Sequence, residues 1–194
     1  MSPTFTSGRL KSMLEPIEGI ADNTIDYIAE LVQKKPELDL KSILQGFTLD
    51  SIARVAFGLE TKAYKGENAD FSKMAFDVFE DFKTEGWTNT IFFNIIAQFP
   101  ELTKNISIWP ESAIKIRTMT RDIMNTRDEK NIKTGDFVDR LREFKKVAQA
   151  PITEGQIEAQ GMVFLTAGFE TTATTLGKKI VFFILCSQLI FFQL

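Results

Sequence analysis

The chain has 194 residues, 44% of them apolar and 25% charged, with a net charge of −3; this suits one globular domain with a real core and gives no footing for nucleic-acid binding. Histidine is absent and there is a single cysteine, Cys186. That excludes Ser-His-Asp and Cys-His nucleophiles, His-ligated metals, Cys-cluster metal sites and an internal disulfide framework, and makes a reducing compartment the default.

The opening MSPTFTSGRL is polar and lacks the form of a secretory signal. From Leu10 to Val32, apolar residues recur at helical spacing, with Pro16 and Gly19 marking an expected bend. Lys34-Lys35-Pro36-Glu37 closes this helix. A second begins at Asp39, carries Leu40, Ile43, Leu44, Phe47, Ile52, Val55 and Ala56, and stops at Gly58. A polar loop from Glu60 to Asp70 precedes a third helix, Phe71 to Phe82, with Met74, Ala75, Val78, Phe79 and Phe82 on one side. Gly86-Trp87 interrupts. The run Ile91 to Pro100 is densely apolar but too short to span a bilayer. Trp109-Pro110 launches a helix from Glu111 to Glu129, in which Ile114, Ile116, Met119, Ile123 and Met124 are expected inward and Lys115, Arg117, Arg121 and Arg127 toward water. A short helix starts at Gly135-Asp136 and holds Phe137, Val138, Leu141 and Phe144. No strand-like alternation, repeat or low-complexity linker is found, so the fold class is all-α.

The last helix, Thr153 to Gly177, breaks local rules. Thr153 and Gln156 fit a capping box. Apolar residues then lie on every face, which predicts a buried helix. Its middle nevertheless carries Ala167-Gly168, one carboxylate at Glu170, and threonines at 171, 172, 174 and 175. Glycine costs about 1 kcal/mol against alanine in a helix, and threonine hydroxyls bond back to the i−4 carbonyl. Read from the residues alone, these are packing residues and back-bonded hydroxyls, with Glu170 facing solvent or forming half of an ion pair. Violations inside an otherwise consistent element are also where function is expected.

Ala167-Gly168-Phe169-Glu170-Thr171-Thr172 resembles the central-helix signature of the cytochrome P450 monooxygenases. The resemblance is colinear over residues 1–177. Ser2-Pro3-Thr4-Phe5 with Leu10-Lys11 is similar to the end of that family's third lettered helix in its microsomal animal, xenobiotic-metabolising branch. Phe47-x-x-Asp50-x-Ile52-x-x-x-Ala56-Phe57-Gly58, Asp136-Phe137-Val138 and Thr153-x-x-x-Ile157-x-x-Gln160 match in order. The resemblance implies the central helical portion of that fold, a heme cofactor, and oxidation of an apolar organic substrate by O₂ with electrons from NADPH through a reductase. It implies that Thr171 hydrogen-bonds dioxygen or its waters at the heme and that Glu170 links them to solvent. Ala167 and Gly168 would let the macrocycle approach the backbone, and Val163, Phe164 and Thr166 would line the substrate pocket. A hydroxyl can relay a proton without becoming charged, and burial in an apolar helix would suit the carboxylate to proton transfer. The run Ile91 to Phe99 falls at the family's access lid, which implies contact with the cytoplasmic face of the endoplasmic reticulum membrane; ordinary core packing is the other reading.

The family's iron ligand is a cysteine in a Phe-x-x-Gly-x-Arg-x-Cys-x-Gly loop. Cys186 sits in Phe182-Phe183-Ile184-Leu185-Cys186-Ser187-Gln188-Leu189, without that Gly or Arg, and is rejected as the ligand; its apolar neighbours favour an inert thiol. The resemblance also implies a Glu-x-x-Arg helix, β-sheets and a membrane anchor, none of which is expected within these residues. Residues 178–194 are expected to form an aberrant apolar tail, of the kind that reading into an intron would produce. The expectation is a truncated, inactive and sticky piece of a monooxygenase; the competing reading is a non-catalytic helical fragment that binds an apolar ligand or partner.

Overall fold

A computed structural model of the chain describes residues 6–35, 37–67, 69–84, 94, 98–99, 110–147 and 152–191. Among them are six α-helices, α1 (Ser7–Lys34), α2 (Leu40–Phe57), α3 (Ala69–Thr84), α4 (Glu111–Lys130), α5 (Phe137–Val147) and α6 (Glu154–Phe191), with a 3₁₀ turn at Ala63–Lys65 and no strand. The all-α expectation holds. Gly86-Trp87 and most of Ile91–Pro100 lie outside the described residues, as do the side chains of Phe79 and Phe82.

The centre of the packing is α2 against α6. Ile43, Leu44, Thr48, Leu49, Asp50, Ala53, Ala56 and Phe57 of α2 are all buried, because α1, the 3₁₀ turn, α5 and α6 surround it. Its ends are built as the residues predict. The Asp39 carboxylate accepts from the Ser42 N–H at 3.2 Å. Gly58, at φ 60°, sends its N–H back to Arg54 while Leu59 bonds to Ala53, the left-handed stop that glycine permits. Buried Asp50 accepts from the Thr61 hydroxyl and from the N–H groups of Ala63 and Tyr64. It thereby holds the 3₁₀ turn onto α2 so closely that a Cβ on Gly46 would collide with the Tyr64 backbone.

Helix α6 starts with the expected capping box: the Thr153 N–H donates to Gln156 Oε1 at 2.9 Å, and the Gln156 N–H to Thr153 Oγ1 at 3.2 Å. It runs without interruption past Gly177 to Phe191. Ile157, Leu165 and Phe169 are fully enclosed, joined by Met162 and Ala173. Gly161 lets α4 approach, since a Cβ there would stand 2.8 Å from Thr120 Oγ1 and 3.2 Å from the Phe57 ring.

Three expectations are corrected. Helix α6 is buried on one side only, where α2 and α4 pack; the opposite line, containing Val163, Ala167, Thr171 and Thr174, is exposed. Helix α1, whose burial the spacing left open, runs through Pro16 and lies at the edge, with Thr24 its one buried residue and Leu14, Ile25 and Val32 exposed. In α4, Ile116 and Met124 face inward, whereas Ile114 is 44% exposed. Arg127, expected in water, is 7% exposed because its guanidinium binds Asp136, Asp139 and the Phe57 carbonyl.

Candidate functional site

The rule-breaking centre of α6 separates into three lines of side chains. Val163, Ala167 and Thr171 are spaced four apart and form one exposed line, Val163 at 45%. Thr166 and Glu170 flank it on one side, Phe164 and Gly168 on the other.

The exposed line is low and narrow. Ala167 presents only a methyl group. The Thr171 hydroxyl donates to the Ala167 carbonyl at 2.6 Å, and the Thr175 hydroxyl to the Thr171 carbonyl at 2.8 Å. With its single proton committed, the Thr171 oxygen keeps its acceptor lone pairs toward the open side. The Thr166 hydroxyl is also back-bonded, to Met162 at 2.9 Å.

The flanks reach neighbouring helices. Phe164 is half-buried against Phe137 of α5, with ring centroids 3.8 Å apart. Gly168 faces α2, where a Cβ would come within 2.5 Å of Ile52 Cδ1. Its smallness therefore has a packing cause on the α2 side. Glu170, read from the residues alone as solvent-facing or as half of an ion pair, forms the ion pair. Gln45 Nε2 donates to its Oε2 at 2.6 Å, Lys41 Nζ lies 3.7 Å from its Oε1, and its side chain is 28% exposed. Lys41 and Gln45 are four apart, so their shared face was legible; that this face meets Glu170, 125 residues away, was not.

Two further charge clusters lie elsewhere in the fold, and sequence patterning missed both partnerships. Glu158, 2% exposed on the buried side of α6, receives Arg121 through two bonds of 2.7 and 2.9 Å and Arg117 at 3.3 Å. The Arg121 hydrogen bond, opposed by burial and helped by both arginine charges, holds Glu158 below the usual carboxylate range. At the start of α5, Asp136 caps the helix through the Asp139 N–H at 3.0 Å and binds Arg127. Burial would raise the Asp139 carboxyl; the Thr134 N–H, the Arg127 charge and the Gly135 N–H outweigh it and hold it low. The matched residues Asp136-Phe137-Val138 are thus one cap and two fully enclosed core side chains.

The open line of α6 fits a flat apolar group laid across Ala167, since no bulky side chain rises there. No cysteine stands near that line among the described residues. Cys186 is on the same continuous helix, about 28 Å along its axis from Ala167 at 1.5 Å per residue. Among the described residues there is no cluster of metal-binding side chains, and no helix is long and apolar enough to cross a membrane.

A family model described as cytochrome P450 matches residues 1–187. Probable cytochrome P450 6a21 of Drosophila melanogaster is 31% identical over 188 residues, covering 91% of this chain and 36% of the relative. Cytochrome P450 6A1 of Musca domestica is 28% identical over 185 residues, with 91% and 36% covered. Cytochrome P450 6k1 of Blattella germanica is 30% identical over 203 residues, with 91% and 37% covered. The chain therefore spans little more than a third of the length of the curated relatives it matches.

Proposed function

The chain belongs to the cytochrome P450 family, and from that premise we propose that α6 is the oxygen-facing wall of a heme-thiolate monooxygenase site, with Glu170 and Thr171 as its proton-handling pair. The observation that carries this reading is the open line Val163–Ala167–Thr171, flanked by a carboxylate whose partners lead to an exposed lysine. When bound, heme supplies the activation of O₂ with electrons that come from NADPH through a reductase.

The rest falls to side chains of this chain. Ala167 and Gly168 keep the helix surface low enough for a flat group to lie against the backbone. The Thr171 oxygen accepts a hydrogen bond and, by turning its own proton away from the Ala167 carbonyl, donates one without taking on charge. Glu170 exchanges protons with solvent at the α2 edge. Val163, Phe164 and Thr166 form the substrate wall, apolar enough to exclude water that would otherwise compete for protons. The family premise supports an apolar organic substrate and a site of action at the endoplasmic reticulum membrane.

Cys186, the one cysteine, lies too far along α6 to serve a group laid across Ala167. This favours a second reading for the isolated chain, a non-catalytic helical piece that binds apolar molecules. The two readings are separated by the reduced, CO-bound absorption spectrum of the purified chain with added heme. A thiolate-type Soret band would overturn the second. In a longer form of the protein that carries a ligand loop, Thr171→Ala is expected to lower product formed per O₂ consumed, with product formation slowed by about 10²-fold, the low end for a positioned proton donor. Unchanged coupling would overturn the assignment of Thr171.

A further inference from the structure

Lys41, Gln45, Thr48 and Ile52 follow one another at intervals of four, three and four residues and so lie on one face of α2. That face grips three successive residues of α6. Ile52 packs against Gly168. The Thr48 hydroxyl reaches the Phe169 carbonyl at 3.0 Å, sharing its proton with the Leu44 and Gln45 carbonyls. Gln45 and Lys41 take Glu170. Thr171, the next residue, is held from within α6, through Ala167. The carboxylate and the hydroxyl are adjacent in sequence, yet they are fixed by different helices.

The two partners of Glu170 are unequal. Lys41 is 70% exposed and 3.7 Å away, so solvent screens it and its hold on geometry is weak. Gln45 is half-buried, neutral and 2.6 Å away, the short distance of a charge-assisted bond. A neutral donor can fix the direction of a carboxylate without cancelling its charge.

We propose that Gln45 is the positioning residue of Glu170: its amide holds the carboxylate over α2, turned away from the open line that bears Thr171, so that Glu170 meets solvent protons beside Lys41. This rests on the reading of Glu170 and Thr171 as a proton-handling pair. It adds a residue from a different helix, and a direction of approach for the proton.

Nuclear magnetic resonance on the labelled 194-residue chain tests it. The side-chain amide protons of Gln45 are expected to exchange with water about tenfold more slowly than those of exposed glutamines, as a charge-assisted bond requires. Glu170→Gln should abolish that protection. Gln45→Leu should release the Glu170 side chain, seen as rotamer averaging of its Cγ protons. Lys41→Met should leave both signals in place. The Thr153 and Gln156 backbone signals report whether each variant keeps the start of α6. A Glu170 side chain that stays fixed in Gln45→Leu, or is released equally by Lys41→Met, overturns the assignment to Gln45. The proton-handling reading is judged separately, by the coupling of Thr171→Ala described above. Positioning without proton transfer, and proton transfer without positioning, therefore give different pairs of results.

Discussion

Arg127 shows how much one side chain can organise. Its guanidinium joins the end of α4 to the cap of α5 and to the last carbonyl of α2. Removing it leaves two carboxylates, Asp136 and Asp139, buried without their cation. Arg127→Met is therefore expected to destabilise the fold by about 3–5 kcal/mol, the range for breaking a buried ion pair from one side. Denaturant unfolding followed by circular dichroism measures it; a loss under about 1 kcal/mol would place the charge in solvent. Gly161 is the small-residue counterpart. A methyl group there would press on Thr120 and Phe57, so Gly161→Ala should cost about 1–3 kcal/mol by overpacking, where an unpacked helical glycine would gain stability from the same change. The same unfolding curves decide between the two signs.

At the scale of the element, α6 is set by its ends and by its charged neighbours. Thr153→Ala removes one half of the capping box and is expected to cost about 1 kcal/mol, with faster hydrogen exchange confined to the first turn. Acid acts elsewhere. Glu158 and Asp139 both have depressed carboxyl pKa values in the folded chain. The unfolded chain therefore binds their protons first as pH falls, and the stability they contribute is present above the ordinary carboxylate range near pH 4. It is lost as pH drops through the folded values below that. Melting temperatures measured from neutral pH downward should fall over that range, and the fall should be shallower in a Glu158→Gln variant. An equal fall in both would remove Glu158 from the account.

Across the whole molecule, buried and exposed apolar surface are unevenly divided. The core between α2, α3, α4, α5 and α6 is enclosed, while Val181, Phe182, Phe183, Ile184 and Leu185 are consecutive and all exposed, Phe183 at 69%. Such a patch associates in water. The purified chain is expected to self-associate at micromolar concentration, and Phe182→Ser with Phe183→Ser to shift it toward monomer. Sedimentation velocity tests this; an unchanged distribution would put the association on another surface. The family match runs past Gly177 to residue 187, and α6 likewise continues through this stretch.

Much is legible in the residues alone. Periodicity located the helices, Asp39, Gly58 and Thr153 marked their ends, and the Ala167–Thr172 signature named the family and the residues worth watching. These are local properties, set by side-chain spacing and by backbone groups that must be satisfied within a few residues. What only the tertiary structure decided is which side of each helix has a neighbour. Spacing could not tell that α6 is covered on one side, that Arg127 is buried, or that Gly168 is small for the sake of Ile52. Nor could it tell that Glu170 is held by Gln45. Each of these depends on contacts between residues far apart in the chain, where burial and charge pairing are fixed by how helices cross.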